Sequence, residues 1–250
     1  VIEDDDSETP IFSNTNLNMG PINEPEYDAI VIGAGFSGCH VLKTLRERGY
    51  KVLVLDNAAD LGGVWYWNRY PGARVDSKVP LYEYSNKDLW SDWTWSEKYP
   101  GQAEILEYFK HVEEKLHLKK DIRFNTLVVA ADFDDSSNRW IIKAKDGAEF
   151  TARNFILCIG SFSVPYIPKF EGLDTFAGIS CHTSKWPHQG IDYSGKRVGV
   201  VGNGSTGVQT IQTIGPGVKN LVVFQRRYAK FLSPRACHIP LTLTLNELHY

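Results

Sequence analysis

A continuous apolar run followed at once by glycines at its first, third and sixth positions leaves a chain few ways to fold. Asp28-Ala-Ile-Val-Ile32 is such a run, and Gly33-Ala-Gly-Phe-Ser-Gly38 follows it. The run does not alternate, as expected of a strand buried on both faces of a parallel sheet. Cys39 to Glu47 then carries Val41, Leu42 and Leu45 at helical spacing and stops at Gly49. Lys51-Val-Leu-Val-Leu-Asp56 is a second strand. The order returns later as Arg197-Val-Gly-Val-Val201, Gly202-Asn-Gly-Ser-Thr-Gly207, a helix to about Ile214 and Leu221-Val-Val-Phe224. Two parallel strands need a crossover, and a helix of this length supplies it.

The glycine spacing carries chemistry because of where it sits. Between strand and helix, the first glycine makes the tight turn, the second lets backbone approach a pyrophosphate, and the third allows close helix–strand packing. The helix N-terminus then offers unpaired N–H groups and partial positive charge. Gly33, Gly35 and Gly38 fill these positions first, and Gly202, Gly204 and Gly207 fill them again. The expected fold class is α/β, with two Rossmann-like dinucleotide-binding units. Their second strands end differently. Asp56 can accept hydrogen bonds from a ribose diol, which suits the adenosine half of FAD or NAD. Arg226 and Arg227 stand where an acid would select NAD, and a guanidinium there favours the 2′-phosphate of NADP.

Between the units, Gln102 to Leu118 predicts an amphipathic helix with Ile105, Leu106, Phe109, Val112 and Leu116 on one face. Ile122-Arg-Phe124 predicts a third parallel strand. Leu127–Phe133, Trp140–Ala144 and Glu149–Thr151 predict an antiparallel meander, and Asn154–Ile159 a buried return strand. Pro165 and Pro168 place a boundary. The division expected is an acidic arm at 1–25, a first dinucleotide domain at 26–165, and a linker with part of a second at 166–250. Thr242–Leu245 leaves strand and loop both open.

The net charge of −3 gives no reason to expect nucleic acid, and charged residues and glycine interrupt every apolar stretch short of a membrane span. Cys39, Cys158, Cys181 and Cys237 are scattered without metal-ligand spacing, so reduced thiols, no metal site and a cytoplasmic location are expected.

Phe176-Ala-Gly178-Ile-Ser-Cys-His182-Thr-Ser-Lys-Trp186-Pro187 fits F-x-G-x-x-x-H-x-x-x-W-P. In this it resembles the Baeyer–Villiger flavin monooxygenases. The stretch from Gly62-Gly63 through Trp65, Trp67, Arg69 and Arg74 to Asp76 is similar to the same family, as is Trp93-Thr-Trp95-Ser-Glu97 with Tyr99-Pro100 and Gln102. The resemblance implies FAD on the first unit and NADP on the second. It implies cofactor contacts from Gly63, Trp65 and Arg74, and a catalytic Asp76 beside the flavin, paired with an active-site Arg. Phe176, Gly178, His182, Trp186 and Pro187 would position domains and cofactor. The implied reaction uses NADPH and dioxygen to turn a ketone into an ester or lactone.

Members of that family are longer, and no residue here matches their active-site Arg. The expectation is a chain incomplete by itself, whose second sheet has only its opening strand–helix–strand unit. Self-association, or a second chain completing the fold, would then cover the open edge. Two alternatives stay open: a shortened relative turned to non-redox chemistry (cyclase, isomerase or dehydratase), and a non-catalytic dinucleotide-binding partner protein.

Overall fold

The computed structural model describes residues 26–226 and the backbone of Thr244–Glu247. The acidic arm, Arg227 and Cys237 lie outside the described residues. The elements in chain order are β1 (Tyr27–Ile32), α1 (Phe36–Glu47), β2 (Val52–Leu55), α2 (Val64–Trp67), α3 (Lys87–Trp90) and α4 (Gln102–Leu116). Then follow β3 (Ile122–Arg123), β4 (Val128–Asp134), β5 (Arg139–Ala144), β6 (Glu149–Leu157), β7 (Arg197–Val201), α5 (Ser205–Ile214), β8 (Asn220–Gln225) and β9 (Thr244–Glu247).

The first sheet has six strands in the order β3-β2-β1-β6-β5-β4. β3, β2, β1 and β6 run parallel, and β6, β5 and β4 pair antiparallel. The alternation of side chains along β1 divides the core. Ala29 and Val31 face α1 and α4, packing with Leu42, Ile105, Phe109 and Val112. Ile30 faces the other way, against Ile142, Phe150 and Ala152. Each such side chain withdrawn from water contributes about 1.5–3 kcal/mol. Tyr108 joins the α4 face, fully buried, although the apolar spacing does not mark it. Arg46 of α1 donates to the C=O groups of Leu116 and His117 and pairs with Asp121, so it satisfies the free carbonyls at the end of α4.

Two expectations change. The third meander strand and the return strand are one strand, β6: its first half pairs with β5 and its second half with β1, sharing Ala152. The predicted break at Ala152 and Arg153 carries no glycine or proline, so nothing interrupts the ladder there. Nor is the return segment buried, since Leu157 is 60% exposed and Ile159 51%. Ile156 and Cys158 of this segment pack against the cluster that α1 and α4 build, so only one face of this end is covered.

The second sheet has the order β7-β8-β9, all parallel. It therefore exceeds the expected strand–helix–strand unit by β9. Ile214 of α5 packs on Leu221 and Val223 of β8. β7, expected to be buried, alternates between exposed and half-buried residues, because among the described residues α5 alone contributes a buried helical side chain to this core. No described helix is long and apolar enough to cross a membrane.

Cys39, on α1, is 1% exposed and its Sγ donates to the C=O of Ala34 at 3.5 Å. Burial, with the charge of Asp56 second, pushes its thiol up to about 12. The thiolate is the nucleophile, so Cys39 stays protonated and inert well above neutral pH. In native protein at mildly alkaline pH, peptide-mapped alkylation is expected to label Cys181 and leave Cys39 unmodified until denaturant is added. Native labelling of Cys39 at the rate of Cys181 would contradict this packing.

Candidate functional site

The two glycine turns have the same geometry. Gly33 and Gly202 have φ of +105° and +102°, values that side chains rarely adopt. Gly35 and Gly204 are the N-caps of α1 and α5. A Cβ on Gly38 would lie 1.8 Å from the Gly33 carbonyl oxygen, and one on Gly207 would lie 2.4 Å from that of Gly202. The third glycine thus lets each helix approach the strand it follows. Neither helix has a side-chain N-cap or an acid in its first turn. The N–H groups that a dinucleotide pyrophosphate would take are therefore uncompeted. Around Gly204 a Cβ would meet nothing within 4 Å, so no protein contact demands a glycine there. The residues present fit a dinucleotide at both turns.

Each turn is also tied to the end of its second strand. Asp56, 8% exposed, accepts the Ala34 N–H with Oδ2 and the Ala58 N–H, at 2.6 Å, with Oδ1. Ala34 stands between the first two glycines. In the second unit, Asn203 stands there, and its side-chain amide donates to Gln225 Oε1 at 2.6 Å. The sequence suggests a ribose contact for Asp56. The fold gives its carboxylate two backbone donors already, leaving only its other lone pairs for a ligand. Arg226 follows β8 and is exposed.

The loop from Gly62 to Asp76 lies between the turns. Gly63, with φ +54°, faces Gly35 so closely that a Cβ on it would sit 2.9 Å from the Gly35 Cα. Trp65 is buried and packs edge-on to Tyr82, and Gln102 donates to its C=O at 2.7 Å. Trp93 and Trp95 pack on Tyr108, whereas Trp67 is 43% exposed. Arg74 turns its guanidinium to Glu97 Oε2 at 3.3 Å and the Tyr99 C=O at 3.4 Å. Asp76 is exposed and accepts the Ser205 hydroxyl at 3.3 Å, with no ion pair to it among the described residues.

Residues 27–236 match the family model described as flavin-binding monooxygenase-like. The chain belongs to this family. It is 48% identical over 205 residues to FAD-binding monooxygenase VdtE of Byssochlamys spectabilis, covering 80% of this chain and 36% of that protein. Against acetone monooxygenase (methyl acetate-forming) of Gordonia sp. (strain TY-5) it is 46% identical, covering 80% of this chain and 38% of the relative. The solved structure of OTEMO in complex with FAD and NADP is 39% identical, with a TM-score of 0.77 over 81% of this chain and 40% of that one. The chain thus spans little more than a third of the curated relatives it matches.

In this flavin-binding monooxygenase-like chain, the predicted residues fall into three places. Gly33, Gly35, Gly38, Asp56, Gly63 and Trp65 gather at the first turn. Gly202, Gly204, Gly207 and Arg226 belong to the second. Asp76 meets the second unit through Ser205. The signature forms the third. Phe176 and Gly178 are exposed, while His182 Nδ1 accepts the Ser184 N–H and caps the turn Thr183–Lys185. Trp186 is half-buried, and Pro187 borders a cavity of about 590 Å³ together with Ile179, Cys181 and Lys185. His188, just past the signature, meets Arg69 at 2.9 Å. The sequence reading gave no role to the side chains of Asn203, Gln209 and Gln225. Asn203 and Gln225 occupy the positions of Ala34 and Asp56, a correspondence visible once the two units are aligned. Among the described residues there is no cluster of metal-ligating side chains.

The contrast between Gly207 and Gly204 is testable. Gly207→Ala gains helix propensity of about 1 kcal/mol but drives a methyl into a backbone carbonyl, and overpacking costs about 1–3 kcal/mol. Its urea midpoint is expected to fall. Gly204→Ala, with open space, is expected to keep stability within about 0.5 kcal/mol. Equal midpoints for the two variants would refute the assigned packing.

Proposed function

We propose that this chain is the dinucleotide-binding part of a Baeyer–Villiger monooxygenase, with FAD on the first glycine turn and NADPH on the second. The reaction is ketone plus dioxygen, NADPH and a proton giving ester or lactone, NADP+ and water. The observation that carries the reading is that two matching glycine turns share one loop: Gly63 faces the first turn, and Asp76 meets the first residue of the helix that follows the second. Residues 26–165 form the FAD domain in this reading, and 166–250 the linker and NADP-binding part.

When bound, FAD supplies the redox chemistry between NADPH, dioxygen and the ketone. The chain supplies binding and orientation. The N–H groups that open α1 would hold the FAD pyrophosphate, and Gly35 and Gly63 leave room for it. Asp56 would receive the ribose on the lone pairs its two backbone donors leave free. Trp65 and Arg74, held by their contacts with Tyr82 and Glu97, would keep the loop in place beside the flavin. The N–H groups that open α5 would hold the NADPH pyrophosphate, and Arg226 would take the 2′-phosphate. Asp76 would orient a cation over the negative charge that develops as oxygen is transferred. Arg74 is not that cation, because Glu97 holds it. Phe176, Gly178, His182, Trp186 and Pro187 would set the spacing of the two domains.

Gly35→Val should abolish flavin retention, since its methyl groups would fill the gap facing Gly63. Purified variant holding as much flavin as the parent would overturn the FAD assignment, as would a parent that binds no FAD. Arg226→Ala should weaken NADPH by about one to two decades, the worth of a charge-assisted phosphate contact of roughly 1.5–3 kcal/mol. NADH should change little. Equal loss of both nucleotides, measured by calorimetric titration, would count against Arg226 as the selector.

A further inference from the structure

We propose that Gln209 is a positioning residue that clasps the second unit to the loop of the first, so that a nucleotide at the Gly202–Gly207 turn is sensed at Arg74 and Asp76. The clasp is argued from contacts alone, whereas its response to nucleotide rests on the reading of the second turn given above.

Ser205, Gln209 and Thr213 are spaced four apart on α5 and share one face. All three meet the segment from Tyr70 to Asp76. Ser205 Oγ donates to Asp76 Oδ2 at 3.3 Å. Gln209 Oε1 accepts the Tyr70 hydroxyl at 2.8 Å and the Arg74 N–H at 3.4 Å, while Gln209 Nε2 donates to the Arg74 C=O at 3.1 Å. One side-chain amide therefore pairs with both backbone groups of a single residue, much as a neighbouring strand would. The amide presents a donor and an acceptor side by side, as the peptide unit it pairs with does. Glutamate would lose the donor, lysine the acceptor and leucine both.

The approach is close. A Cβ on Gly72, whose φ is +82°, would lie 2.2 Å from Thr213 Oγ1 and 2.5 Å from the Gln209 carbonyl oxygen. On its other side Arg74 bridges to Gly101, the N-cap of α4, and the Gln102 N–H donates to the Ala73 C=O at 2.8 Å. The helix that opens the second turn is thereby fastened, through one peptide unit, to the main core of the first. The clasp sits one turn of helix from Ser205. A small movement of α5 as a pyrophosphate settles at its N-terminus would reach Arg74 through these bonds and Asp76 through Ser205.

Two variants test this, Gln209→Leu on one side of the contact and Gly72→Ala on the other. In protein without nucleotide, amide hydrogen exchange resolved by NMR should be about tenfold faster at Arg74 in Gln209→Leu. The neighbouring Val75 N–H, bonded to the Pro100 C=O at 3.1 Å, should keep its rate. Unchanged exchange at Arg74 would overturn the clasp whether or not any dinucleotide binds. FAD-loaded protein is then titrated with NADP+, followed by calorimetry and by the flavin absorption band. The parent should bind NADP+ and show a shifted band. Both variants should bind NADP+ within about threefold of the parent and lose the shift. A full shift in both variants, or NADP+ affinity falling in step with the shift, would overturn the positioning role. A parent that binds neither cofactor would overturn the functional reading instead, and the exchange result would still decide the clasp.

Discussion

A carbonyl oxygen with no room for a methyl beside it sets the geometry of both halves of this protein. The Gly33 carbonyl packs on Gly38, and the Gly202 carbonyl packs on Gly207, at distances that exclude any Cβ. That contact brings each helix down onto the strand before it. The helix N-terminus then lies at the carboxyl end of a parallel strand, with its N–H groups uncapped. The rest follows from that placement: Asp56 and Gln225 can reach back to the residue between the glycines, and the loop from Gly62 can face Gly35.

The loop between Gly62 and Asp76 joins the two turns, and the aromatic core holds it in place. Trp65 packs on Tyr82, and Phe36 is ringed by Tyr82, Tyr84, Tyr108 and Phe109. Tyr84 donates from its hydroxyl to the Phe36 C=O at 2.7 Å, and its N–H donates to the Tyr108 hydroxyl at 2.9 Å. Tyr84 and Tyr108, with their hydroxyls satisfied, make a stiff support. Arg74 shows the consequence. Its side chain is taken by Glu97 and Tyr99 and its backbone by Gln209, while the flanking Ala73 C=O and Val75 N–H tie the segment to Gln102 and Pro100.

The elements that were legible in the sequence are those whose signal is local. The two strand–turn–helix units, the face of α4 and the succession of strands along the chain follow from spacing and from glycine. The structure departs where the decision is made at a distance. β6 reads as two strands because its two halves serve different partners, β5 and β1, and only the sheet joins them. β7 reads as buried because its apolar run resembles β1, yet its exposure depends on what packs over it. Tyr108 escapes the apolar count because its hydroxyl finds a backbone partner that the spacing cannot reveal.

At the site the same division holds. Composition and spacing alone determined the two dinucleotide turns, the acid ending one unit and the base ending the other, and a signature between them similar to that of the Baeyer–Villiger monooxygenases. The close-packed glycines answer backbone requirements, and a glycine required by a backbone contact is visible in one dimension; the acid, the base and the signature are visible as residue types at fixed spacing. Only the tertiary structure decided that Asp56 serves its own glycine turn, that Arg74 is held by Glu97, and that Asp76 meets Ser205 across 129 residues of sequence. A polar side chain takes whichever partner the fold brings within about 3 Å, and that choice is made by the packing of elements far apart in the chain.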